Sequence, residues 1–279
     1  MELSWLQSLI LGLISGITEI LPVSAQAHRL LLLKLFGINA EHPVFRLTIH
    51  ICTALALYFC CRVHIIRMLR AVRLSKVPKK RRKRPLDMEG LSDFNLLRTT
   101  LIPVILGLAL YTKTAPLADS AIAVSVLLLV NGIVLYIPQY LPGSNKESSA
   151  MTRIDGLIMG LGGAAATLPG ISCLGTSVSI ASVRGMDLKK ALNLALLMCV
   201  PVNLGLAAFD LVALLGGGAG SLSLVALVGA VLAGITAFLG VILGIRLLNK
   251  IVEAVGYSVF GFYCWGAAML TFILFLAAV

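Results

Sequence analysis

Glu19 is an acid in the middle of an apolar stretch, three residues before Pro22, with Thr18, Ser24, Gln26 and His28 gathered around it. A carboxylate at the centre of a membrane helix costs about 2.5–3.5 kcal/mol on insertion scales, so such a residue marks a functional site by default. A second short segment, 168–176, has the same polar character without the acid. Pro169 and Gly170 free backbone amides there, and Ser172, Thr176, Ser177 and Ser179 add hydroxyls where a new helix would begin. Exposed amides at a helix N-terminus bind anions such as phosphate. The two segments together suit capture of an anionic group by a carboxylate, an imidazole, hydroxyls and backbone N–H groups.

The elements that must hold these segments are set by composition. Of 279 residues, 59% are apolar and only 13% charged, against about 25% charged in a soluble domain. With a mean hydropathy of +0.99, lipid is the solvent for most of the chain. Apolar runs long enough to cross lie near 44–66, 95–113, 119–140, 188–214, 222–245 and 256–278, which predicts six spans. Two further stretches, 3–36 and 152–184, are interrupted at the segments just described. Proline removes a donor, and irregular backbone survives at membrane depth only where protein buries it or water reaches it. Both stretches therefore read as re-entrant helix pairs. The order is then broken pair and three spans, twice, which predicts an all-α inverted repeat with halves at about 1–141 and 150–279. Paired interruptions of this kind meet near the midplane.

Eleven of the twenty-three basic residues fall between Arg62 and Arg84, within a chain of net charge +11. Beside an apolar span this reads as topology and lipid-headgroup attraction rather than nucleic-acid binding. A cytoplasmic linker at 67–94 puts Lys146, Arg153, Arg184, Lys189, Lys190, Arg246 and Lys250 on the same side. The opposite loops carry no Lys or Arg, although Arg29, Lys34, Arg46 and Lys113 lie close by. His50 and Asn203 lie within spans, facing the site or another helix. The six cysteines show no metal-ligand spacing, and the first apolar stretch lacks the features of a removable signal peptide.

The stretch Gly16-Ile-Thr-Glu-Ile-Leu-Pro-Val-Ser-Ala-Gln-Ala-His28 resembles the first signature of the undecaprenyl-diphosphate phosphatases, the bacitracin-resistance type of integral membrane phosphatase. Pro169-Gly-Ile-Ser172 with Gly175 resembles their second. The resemblance runs on through Phe45 to Leu57 and from Val183 to Pro201. It implies a multi-pass protein of the bacterial plasma membrane that hydrolyses a polyprenyl diphosphate to the monophosphate, recycling the lipid carrier of cell-wall synthesis. It further implies that Ser172 and Ser24 bind or attack the distal phosphate and that Gly170 and Thr176 contact the substrate. Glu19 would orient the groups, alone or through a divalent cation such as Mg²⁺ or Ca²⁺, and His28 would handle a proton.

The sequence departs from that pattern at five places. Ser15 stands where the family has a further acid, Ala25 replaces the second of two serines, Ala27 a glycine, Cys173 an arginine and Leu174 a serine. The arginine matters most, because its guanidinium fork matches phosphoryl oxygens and comparable arginines are worth about 10³–10⁵ in rate. Arg184, twelve residues after Ser172, reads as a topology anchor, with reaching back to compensate for the missing arginine as the alternative. A relative without catalysis, which binds or moves a phosphorylated lipid or another anion, is the second expectation.

Overall fold

The computed structural model describes residues 3–38, 41–140, 146–216 and 223–276. The chain forms α1 Trp5–Ile20, α2 Ala25–Leu35, α3 Pro43–Ser75, α4 Met88–Ala109, α5 Tyr111–Thr114, α6 Ala121–Tyr136, α7 Arg153–Ala164, α8 Cys173–Val183, α9 Leu188–Leu215, α10 Leu224–Val255 and α11 Val259–Leu276, with no strand among the described residues. Helix starts follow local chemistry. Ser4 and Gln7 form a capping box on α1, Thr152 and Asp155 another on α7, and Ser24, Ser172 and Ser223 cap α2, α8 and α10.

Among the described residues five helices are long and apolar enough to cross a bilayer: α3, α4, α6 with its 3-10 extension to Tyr140, α9 and α10. The stretch expected as a sixth span, 256–278, forms α11. Over the described side chains α11 falls short of that length, and residues 277 and 278 lie outside the described residues. The basic connection is also shorter than expected. Helix α3 continues through Arg67, Arg70 and Arg73, so the irregular link is 76–87, holding one 3-10 turn at Lys79–Arg81. Pro78 and Pro85 deny it a continuous helix.

Small residues let the helices approach closely, as lipid-solvated packing requires. Ala226, Gly229, Ala230, Ala233, Ala237, Gly240 and Gly244 form a buried stripe along α10, and Gly12 and Gly16 of α1 lie against it. A Cβ on Gly16 would stand 2.1 Å from the Ala237 carbonyl oxygen. Helix α4 packs on α7, α3 on both α9 and α10, and α6 on α11. At one end, buried Asp93 receives His64 at 2.9 Å, Ser148 and Lys190, tying α3, α4, α9 and the segment before α7 together.

Overpacking a close crossing costs about 1–3 kcal/mol, or about 3–10 °C for a chain of this size. Gly16→Val is expected to lower the thermal midpoint of the purified protein by that amount. Gly266→Ala, whose Cβ meets nothing within 4 Å, should leave it within about 1 °C in the same scan.

Candidate active site

The two interruptions are built differently and meet. In the first, α1 ends at Ile20 and the chain turns through Pro22 to Ser24, the one non-glycine residue with positive φ (69°) among the described residues. In the second, α7 runs into a 3-10 turn at Ala165–Thr167, and Gly170 takes φ 124° before Ser172 opens α8. A Cβ on Gly170 would lie 2.6 Å from Leu127 Cβ and 2.9 Å from the Val124 carbonyl, so only glycine fits beside α6.

Each break satisfies the other's backbone. Ser24 Oγ accepts the Gly170 N–H at 3.1 Å while also capping α2 through the Ala27 N–H. Asn131 of α6, fully buried, spans the same gap from the other side. Its Nδ2 donates to the Pro22 carbonyl at 3.1 Å, and its Oδ1 accepts the Ser172 N–H at 3.0 Å. Ser172 Oγ in turn accepts the Gly175 N–H at 3.0 Å. The amides of Cys173 and Leu174, first in α8, have no intrahelical acceptor. They carry the positive end of the helix dipole.

Beside this junction lies a cleft of about 40 Å³, lined by Glu19, Gln26, Arg29, His50, Tyr111 and Ser172 among others. A water needs about 10–15 Å³ measured this way, so the cleft holds about three waters or one phosphoryl group. Asn203 of α9 donates to Glu19 Oε1 at 2.8 Å. Arg29 is buried and pairs through Nε with Glu41 Oε2 at 3.1 Å. Burial pushes the Glu41 carboxyl above the usual carboxylate range, against the pull of Arg29 and Arg46. His50 Nδ1 donates to Asp210 Oδ2 at 2.7 Å, and Arg46 Nε donates to Asp210 Oδ1 at 2.8 Å. The cleft thus brings together one carboxylate, one guanidinium, an imidazole oriented by a buried acid, a hydroxyl and a helix N-terminus.

Of the residues singled out from sequence, Thr18, Glu19, Gln26, His50 and Ser172 line this cleft. Ser24 and Gly170 bond each other beside it. Thr176 does not line it: its hydroxyl donates to the Gly162 and Ser172 carbonyls at 2.8 and 2.6 Å, fastening α8 to α7. His28 also points away. Its Nδ1–H donates to the Ser24 carbonyl at 2.9 Å, which makes Nε2 the acceptor for the Tyr263 hydroxyl at 2.8 Å, and its ring stacks on Tyr263. Arg184 pairs with Asp155 at 2.5 Å, outside the cleft. Cys173 lines the cleft and lies 3.6 Å, sulfur to sulfur, from Cys199.

Three groups at or beside the cleft are not singled out by the sequence reading: Arg29, which reads only as a charge close to a loop, Asn131 and Asp210. Each carried the same available signal, a polar or charged group within apolar sequence.

A family model for the bacitracin resistance protein BacA matches residues 8–270 of this chain. The undecaprenyl-diphosphatase of Nocardioides sp. is 31% identical over 207 residues, 74% of each chain. Undecaprenyl-diphosphatase 1 of Shouchella clausii is 29% identical over 279 residues, 97% of this chain and 96% of that one. The undecaprenyl-diphosphatase of Methanobrevibacter smithii is 27% identical over 274 residues, 96% of each chain.

Losing Asn131 would strand the Ser172 N–H, at about 1–3 kcal/mol, and leave the Pro22 carbonyl only the weak Cys264 S–H donor at 3.8 Å. Asn131→Ala is therefore expected to speed amide hydrogen exchange about tenfold or more in both 20–27 and 168–176. Acceleration in only one of the two peptides would mean that the breaks are not clamped together.

Proposed function

We propose that this chain, which belongs to the bacitracin resistance protein BacA family, is an undecaprenyl-diphosphate phosphatase whose phosphoryl-binding arginine is Arg29. The place of Arg29 carries the reading. The family arginine that follows the serine of the second signature is Cys173 here, yet Cys173 and Arg29 line the same cleft. A guanidinium lost from the start of α8 is replaced by one from α2, reaching the same space from the other break.

The reaction follows from what each group can do. The distal phosphoryl group of the lipid occupies the cleft, its oxygens taken by Arg29 and by the α8 N-terminus at Cys173 and Leu174. Ser172 supplies a further hydroxyl. Glu19, held through Oε1 by Asn203, takes a proton from the attacking water as the new P–O bond forms. The bond from the distal phosphorus to the bridging oxygen breaks, and its electron pair leaves with the prenyl monophosphate. His50, oriented by Asp210, faces the charge that develops on the phosphoryl oxygens. His28 holds the Ser24 carbonyl and takes no proton from substrate.

Among the described residues Glu19 is the one carboxylate lining the cleft, and no group of three or more candidate metal ligands occurs. That donor set suits a Mg²⁺ shared with substrate phosphates, which commonly uses one or two protein carboxylates, and such an ion would add neutralising charge at the diphosphate.

Exchanging the halves of the chain supports the inverted-repeat reading. The pairs α1 with α10 and α7 with α4 interchange, as do α3 with α10 and α9 with α4, while α3 with α9 and α6 with α11 map onto themselves. Along α3, His50 and the start of the basic 76–87 link are about 39 Å apart at about 1.5 Å per residue. With the link in the cytoplasm of a bacterial inner membrane, the cleft lies toward the outer face.

Purified wild type is expected to release phosphate from undecaprenyl diphosphate in detergent, and its failure to do so would favour the non-catalytic reading. Glu19→Gln should lower kcat about 10²–10⁴-fold. Arg29→Leu should lower kcat/KM about 10³-fold or more, and Arg29→Leu with Cys173→Arg should regain at least tenfold over Arg29→Leu alone. Near-normal turnover by a folded Arg29→Leu protein, judged by its thermal midpoint, would overturn the assignment of Arg29.

A further inference from the structure

At the far end of α3 lies a second hollow, a groove of about 440 Å³ lined by Val63, Ile66, Arg70 and Leu74 along one face of the helix and by Arg84 and Pro85 of the returning link. The spacing 63, 66, 70 and 74 keeps these side chains in line. The link is pinned there. Arg82 donates to the Val77 and Ser75 carbonyls at 2.8 and 3.2 Å, capping α3. Arg67 grips Asp87 through two bonds, 2.6 and 3.0 Å, and reaches Glu89 at 3.1 Å. Asp87, the acid in the groove, is thereby committed, and Arg67 holds its carboxyl below the usual range.

Arg70 and Arg84 are different. Both line the groove, both are exposed, and neither has an ion-pair partner among the described residues. Around them stand Lys79, Lys80, Arg81 and Lys83, all exposed. The other end of the groove is apolar, with Val63 75% and Ile66 50% exposed. A helix of 33 residues is about 50 Å long against a hydrocarbon core of about 30 Å, and the cationic end is the one that must leave the core. The groove therefore straddles the boundary, apolar side chains on the lipid side and two unpaired arginines at headgroup depth.

We infer that this groove binds an anionic glycerophospholipid of the surrounding bilayer, its phosphate between Arg70 and Arg84 and an acyl chain along Val63 and Ile66. The charge pattern commits the occupant. Two guanidiniums without counter-ions take a phosphodiester, and a soluble anion would leave the exposed apolar wall uncovered. About 30 Å along α3 separates Arg70 from His50, so this lipid is distinct from the substrate headgroup. It anchors the link to the membrane surface rather than taking part in hydrolysis.

The test is native mass spectrometry of the full chain in detergent, titrated with phosphatidylglycerol, with phosphatidylcholine and, separately, with undecaprenyl phosphate. Phosphatidylglycerol should bind to wild type at least tenfold more tightly than phosphatidylcholine. Arg70→Gln with Arg84→Gln should weaken phosphatidylglycerol roughly 30-fold, the loss expected from two headgroup contacts, with phosphatase activity and thermal midpoint unchanged. Lys80→Gln with Lys83→Gln, two cations outside the groove, should weaken it less than about fivefold. Equal losses in the two double variants would show a diffuse polybasic attraction and overturn the site. Loss of undecaprenyl phosphate binding with phosphatidylglycerol unaffected would overturn the proposed occupant.

Discussion

The structure depends on one constraint: in hydrocarbon no water is at hand for a freed backbone amide, so a broken helix must find its partners inside the protein. Here the two breaks find them in each other. Ser24 takes the Gly170 N–H, and the buried amide of Asn131 serves Pro22 on one side and Ser172 on the other. Because those bonds fix where the breaks meet, they also fix where Glu19, Arg29 and the first amides of α8 converge. The left-handed backbone at Ser24 is strain of the kind held at functional sites by surrounding bonds, among them the bond from His28 to the Ser24 carbonyl.

Charge is handled by pairing. Arg29 with Glu41, and His50 and Arg46 with Asp210, keep each buried ion beside an opposite one. A phosphoryl group entering the cleft meets a guanidinium already desolvated and held by its Nε bond, so little ordering remains to be done on binding. On the proposed reading an arginine can leave one signature and be replaced from another, because α2 and α8 border the same cleft.

Much of this was legible in the sequence. The proline and glycine interruptions located both breaks, and hydropathy found α3, α4, α6, α9 and α10, although α3 and α10 run nine and ten residues beyond their expected ends and α4 starts seven residues earlier. What sequence could not convey was which side of a short helix faces the cleft. His28 and Arg29 are neighbours, but successive residues on a helix point about 100° apart. Arg29 shares the face of Ala25 and Gln26, while His28 turns to Tyr263. The same holds for Thr176, a hydroxyl one turn into α8 that bonds the facing backbone of α7. The extension of α3 to Ser75 was hidden by its arginines, which ended the apolar run without ending the helix.

The account turns on a single phosphoryl site shared by the two breaks. A structure of the protein with a non-hydrolysable methylene-bridged analogue of undecaprenyl diphosphate tests it most directly. The distal phosphorus is expected within hydrogen-bonding reach of both the Arg29 guanidinium and Ser172, with Glu19 facing it. A diphosphate bound away from the Ser24–Gly170 junction, with Arg29 still engaged only by Glu41, would contradict it.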